Sequence, residues 1–247
     1  MGSDPLASLD ADRLASLLDG AWASGSPPEP REAEARPEPE ELSDDPIERG
    51  RAALARRRFG AAVEAFREAL RASPRDVDAV TGLSEALLEA GDRERAVEFL
   101  LQAQEADPDH VGVKVRLGRA YARSMAYAEA EAALRRAIRL EPDDPQARCE
   151  LGIVLAKKGL YGAAVAELDR ALELDPSLAR AHYHLGVCHN HMDRLDLAAA
   201  AFEAAAGIDP GDSRAWYQLG VVYDRKGWID QALEMYRRAR ETGGGSR

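Results

Sequence analysis

Proline recurs at Pro74, Pro108, Pro142, Pro176 and Pro210, each 34 residues after the last, with no insertion between them. The same spacing carries a small residue at Gly50, Ser84, Gly118, Gly152, Gly186 and Gly220. Two further positions are alanine in every period: Ala62, Ala96, Ala130, Ala164, Ala198, Ala232, and Ala69, Ala103, Ala137, Ala171, Ala205, Ala239. Between those alanines stands a large residue: Phe66, Leu100, Leu134, Leu168, Phe202 or Tyr236. A fixed period of this length means one supersecondary unit stacked on copies of itself, each buried by its neighbours rather than around a common core. Small residues let two helices approach closely, and the large residue fills the space beside them. Proline, lacking an N–H, suits the stop after the second helix. Asp76, Asp144 and Asp212 then stand as N-caps, with Pro145 at a first helical position.

Within the period the pattern is clearest at Trp216–Tyr223, WYQLGVVY, which reads W-x2-L-G-x2-Y and is followed by Ala232 and Tyr236. This resembles the tetratricopeptide repeat, a helix–turn–helix unit of 34 residues. The resemblance implies an all-α fold, a right-handed superhelix (α-solenoid) of about six repeats over residues 44–242. The repeats run about 44–76, 77–110, 111–144, 145–178, 179–212 and 213–242. Repeat 1 has a degenerate first helix, with Pro46, Arg49 and Ala53 at usually large apolar positions, as a terminal repeat tolerates. Its second helix turns Val63, Phe66 and Leu70 inward.

Composition narrows the function. The net charge is −11, but residues 1–45 hold twelve acids and three bases, a charge of −9, so the rest of the chain carries only −2. A near-neutral body and an acidic tail disfavour nucleic acid. Two cysteines, Cys149 and Cys188, make no disulfide framework and suit a reducing compartment. No secretory signal and no apolar run of membrane-spanning length is present, so no membrane insertion and a cytoplasmic location are expected. Arginine outnumbers lysine and alanine abounds, which suggests a GC-rich bacterial genome. No phosphate loop, nucleophile elbow, zinc motif or other enzyme signature occurs, so no catalytic residue and no cofactor are expected.

The N-terminal region divides in two. Residues 1–22 read as a short amphipathic helix, capped by Asp4, with Leu6, Leu9, Leu14, Leu17, Leu18 and Trp22 on one face. So short a helix is marginal alone in water. It either folds back onto the repeats or docks in a groove of a partner. Residues 23–43 are rich in Pro, Glu and Ala and read as a disordered acidic linker. At the other end, residues 243–247 read as a flexible tail. Arg240 and Thr242 stand at core-facing positions that are mostly apolar in earlier repeats (Gln104 is the exception), and exposure of part of Trp228, Leu233 and Tyr236 would permit a homo-oligomer through the repeat ends.

The resemblance further implies that the first helices of the repeats line a concave groove that holds a peptide or partner segment. At those positions repeat 3 contributes Arg116, Arg119 and Arg123, and repeat 4 contributes Lys157 with Cys149 and Ile153. Repeat 5 contributes Arg180, Tyr183, His184, Asn190 and His191 with Val187. Repeat 6 contributes Arg214, Tyr217, Asp224 and Arg225 with Gln218 and Val221. Repeat 2 offers acids instead: Asp78, Glu85 and Glu89. Basic edges over an apolar, aromatic floor fit an acidic or amphipathic segment of a protein partner; the plain alternative is a solvated helix face. The Lys/Asn clamp with which some family members hold chaperone tails is absent, since Thr81, Glu85, Val115, Arg119, Tyr183 and Val187 occupy its places. Residues 29–45 are acidic enough to screen such a groove.

His184, Cys188 and His191 fall at i, i+4 and i+7, with Cys149 as a possible fourth ligand for a transition metal. His182 and His189, by contrast, sit at packing positions, and packing is the ordinary use of helical histidines. The expectation is no metal. The chain therefore reads as a non-catalytic interaction scaffold or adaptor, an assembly factor or a subunit of a larger complex. A self-associating scaffold and a recruiting subunit of an enzyme complex are the alternatives.

Overall fold

The computed structural model describes residues 43–73 and 76–244. The expected docking helix of residues 1–22 and nearly all of the acidic linker lie outside them. Among the described residues there are twelve helices and no strand. They are α1 Pro46–Ala55, α2 Phe59–Ala72, α3 Val77–Ala90, α4 Arg93–Ala106, α5 Val111–Arg123 and α6 Tyr127–Leu140. The series continues with α7 Pro145–Lys157, α8 Tyr161–Leu174, α9 Ala179–His191, α10 Leu195–Ile208, α11 Ser213–Arg225 and α12 Ile229–Gly244. The last helix runs through Gly244, past the expected start of the tail. The chain divides after Ser124 into two compact units, the first holding α1–α5 and the second α6–α12.

Local chemistry sets the helix ends. Asp45 accepts from the Ile47 N–H, Asp76 from Ala79, Asp144 from Gln146 and Ala147, and Asp212 from Arg214, so each satisfies a donor that the first turn leaves open. His110 does the same through Nδ1, accepting from the Val113 N–H at 3.2 Å. The turn inside each repeat has its own signature: Arg57, Gly91, Met125, Gly159, Asp193 and Gly227 all adopt positive φ, between 57° and 93°. Three of these six are not glycine, and a side chain there carries a left-handed backbone at a cost of about 1 kcal/mol. Met125 is 71% exposed. Met125→Gly is therefore expected to raise stability by about 0.5–1 kcal/mol, read from the urea midpoint at unchanged slope.

In the first unit α1 packs on α2, α2 on α3, α3 on α4 and α4 on α5, and α3 also touches α1 and α5. Its centre is Phe66, Leu70, Leu83, Leu100 and Leu117, none more than 1% exposed. In α1 only Gly50 is buried, in keeping with a degenerate terminal helix. In the second unit consecutive helices pack from α6 to α12, around Leu134, Val154, Leu168, Phe202 and Leu219. The alanine columns are buried in both units, with one exception: Ala239 is only half-buried. The small-residue position has a direct cause. A Cβ built on Gly152 would lie 2.6 Å from Leu168 Cγ, one on Gly186 2.8 Å from the Phe202 ring, and one on Gly220 2.7 Å from the Tyr236 ring. No side chain fits those gaps.

A further contact recurs in each of the last four repeats. The Lys114 ammonium donates to the Pro108 carbonyl, Arg148 Nε to Pro142 at 2.8 Å, and Trp216 Nε1 to Pro210 at 3.0 Å. His182 Nε2 lies 3.1 Å from the Pro176 carbonyl. The residue that opens the family signature thus ties its helix to the turn that precedes it. His182 belongs to this series, in agreement with a packing role.

Candidate functional site

On α5, Arg119 Nη1 lies 3.0 Å from Glu85 Oε1 and Nη2 lies 3.6 Å from Glu89, which also pairs with Arg123. Arg116 bonds back to the Gly112 carbonyl of its own helix at 3.3 Å. Arg119 and Arg123 of the third repeat thus meet glutamates of the second. Each stands 34 residues after the glutamate it pairs with, Glu85 and Glu89 respectively, while Asp78 pairs with Arg51 of α1 at 3.1 Å.

In the second unit, groove positions come from α7, α9 and α11. Arg180 forks onto Glu150, with Nη2 3.0 Å from Oε2, and that carboxylate is only 5% exposed. Arg214 forks onto Asp212 at 2.8–2.9 Å, while its guanidinium lies 5.5 Å from the centre of the Tyr183 ring. Arg225 donates to the Asn190 carbonyl at 3.1 Å, to the Asn190 side chain, and to Asp193 at 2.6 Å. Lys157 is exposed at the end of α7 and has no ion pair among the described residues. Asp224 is exposed on α11. Tyr183 meets Phe202 edge-on at 5.6 Å, and Tyr217, 54% exposed, lies 5.5 Å from Tyr236.

His184 sits among these groups. Burial first, and then the charges of Arg180, Lys157 and Arg214, push its pKa down to about 3. It is a neutral imidazole, set edge-on to Tyr183 at 5.2 Å. Of these three cations Arg180 and Arg214 are each held by a carboxylate, and Lys157 has no ion pair among the described residues.

Cys188 and His191, weighed with His184 as metal ligands, have other partners or surroundings. Cys188 is fully buried, and burial pushes its thiol up to about 11, so it keeps its proton. His191 stacks flat on Tyr161, ring centres 4.6 Å apart at 7°. Among the described residues no three His, Cys, Asp or Glu groups are placed to hold a metal ion. His189 is buried, and burial lowers its pKa.

Sequence reading missed Glu150 and Tyr161, which hold Arg180 and His191. The signal for Glu150 was a lone acid beneath an arginine of the next repeat, legible only with both helices side by side. Tyr236 and Arg240, read from the sequence only as parts of a repeat end, line a pocket beside the groove with Tyr183, Arg214 and Tyr217.

Comparison with known proteins agrees with this architecture. The profile of the tetratricopeptide repeat matches residues 47–111, 115–179 and 149–213, and a second profile of the same repeat matches 191–246. Among solved structures the chain is similar to TTC0263, a thermophilic TPR protein of Thermus thermophilus, at 25% identity and TM-score 0.67, covering 72% of this chain and 96% of that one. It is similar to MamA at 28% identity and TM-score 0.57, covering 66% and 95%. It is also similar to YrrB, described as a TPR protein with an unusual peptide-binding site, at 30% identity and TM-score 0.51, covering 73% and 93%. No curated protein matches the chain.

Proposed function

Because the chain belongs to the tetratricopeptide repeat family, we propose that it is a non-catalytic adaptor whose second unit holds an acidic or amphipathic segment of a protein partner on α7, α9 and α11. The observation that carries this reading is the cluster of cationic and aromatic side chains around His184, where Lys157 is exposed with no ion pair among the described residues and the Arg214 guanidinium lies 5.5 Å from the centre of the Tyr183 ring. Arginine forks match carboxylates, and tyrosine supplies rigid contact area at low entropic cost. The peptide-binding site named for the similar YrrB supports the class of ligand. No helix among the described residues is long and apolar enough to cross a membrane; we place the protein in the cytoplasm of a bacterium, as part of a larger assembly. Residues 1–22 serve as a second docking point, and residues 29–45 screen the groove until a partner displaces them.

Affinity purification from the native cell, read by mass spectrometry, tests this. Lys157→Glu combined with Arg225→Glu is expected to weaken retention of a partner with an acidic segment about tenfold, more steeply at low salt. Retention unchanged by both reversals removes the groove as the site. A self-associating scaffold is the second reading, favoured by Trp228, Ile229 and Leu233, which are 43%, 54% and 61% exposed along one end. Light scattering on the eluted peak decides it by mass.

A further inference from the structure

Beside the groove, between α9, α11 and α12, lies a 620 Å³ pocket whose walls include the rings of Tyr183, Tyr217 and Tyr236. Its polar lining holds two guanidiniums, Arg214 and Arg240, with Ser213 and Gln218, and no aspartate or glutamate is among the residues that line it. Arg214 is held by Asp212, whereas Arg240 is exposed and has no acidic partner among the described residues. The register of the repeat shows what kind of surface this is. In α10 the matching residues Phe202, Ala205 and Ala206 are at most 2% exposed, under α11. In α12 their counterparts Tyr236, Ala239 and Arg240 line the pocket.

An apolar helix seated there would bury the Arg240 guanidinium with no carboxylate to pair it, which disfavours such an occupant. A ligand rich in carbonyl and carboxylate oxygens satisfies it. Flat aromatic faces spaced along a groove suit proline, whose extended polyproline II backbone is pre-ordered and leaves its carbonyls free to accept.

We propose that this pocket binds an extended partner peptide in which proline and glutamate alternate, its prolines against Tyr183, Tyr217 and Tyr236 and its carboxylates on Arg240 and Arg214. The proposal rests on the groove reading and names the ligand chemistry at its α12 end. The chain carries a stretch of the same chemistry, with five prolines and six glutamates in residues 27–41, and that stretch competes for the pocket.

The test uses a fluorescent decapeptide of alternating proline and glutamate, titrated against the full chain. A second host, the full chain with those six glutamates changed to glutamine, removes the internal competitor. Binding to the second host is expected, weakened about tenfold by Tyr217→Ala or Arg240→Glu, both at exposed positions. A peptide with alanine for proline is expected to bind about tenfold more weakly. No binding to the second host overturns the proposal, as does equal binding of the alanine peptide. Binding lost through Lys157→Glu/Arg225→Glu but untouched by Arg240→Glu and Tyr217→Ala leaves the groove standing and removes this pocket.

Discussion

Phe66→Ala is expected to lower the unfolding free energy of the first unit by about 3–5 kcal/mol, the range for removing a fully buried aromatic ring. The ring is 0% exposed and fills the space over two glycines on different helices. A Cβ on Gly50 of α1 would lie 2.6 Å from its Cζ, and one on Gly82 of α3 would lie closer still to Cε1. Neither glycine has side-chain atoms of its own with which to close the gap. The cavity therefore persists, and the cost sits at the upper end. Gly82→Ala makes the argument sharper. In the native background it overpacks the site at about 1–3 kcal/mol; beside Phe66→Ala the methyl group enters vacant space and the cost disappears. Urea unfolding of the two single variants and the double gives the coupling, and hydrogen exchange locates it in α1–α3. Additive costs would refute the account.

His184 supplies the second large effect, a loss of stability in acid. Its pKa is pushed from 6.5 to about 3 in the folded protein by burial and by Arg180, Lys157 and Arg214. Below pH 6.5 the unfolded chain takes up a proton that the native state refuses. The stability is whole above that pH and falls as the pH drops toward 3, by at most about 1.4 kcal/mol per unit from this one group. His184→Gln is expected to flatten that limb between about pH 6 and pH 4 in urea unfolding followed by circular dichroism. An unchanged slope in the variant would show that the ring titrates freely.

The fold was legible because its determinants repeat. Gly186 faces Phe202 as Gly220 faces Tyr236, and any column present in every period announces a packing rule. What escaped were contacts between unlike residues in neighbouring repeats. Helix α5 by itself shows only basic charges; α3, 34 residues earlier, sets the carboxylates of Glu85 and Glu89 against Arg119 and Arg123. The same holds for Arg180 over Glu150. Periodicity reports what is common to all copies, and a groove is made of what differs. The positive-φ position also escaped, since Arg57, Met125 and Asp193 share no chemistry, only a turn.

The bonds to the proline carbonyls bear on how such a chain tolerates change. Lysine, arginine, histidine and tryptophan share neither size, charge nor shape, yet each places a nitrogen at the same carbonyl. What the position specifies is a proton on a long enough arm. Four unlike side chains are synonyms there, and leucine, which comes close to lysine in bulk, is the one that would be misspelled.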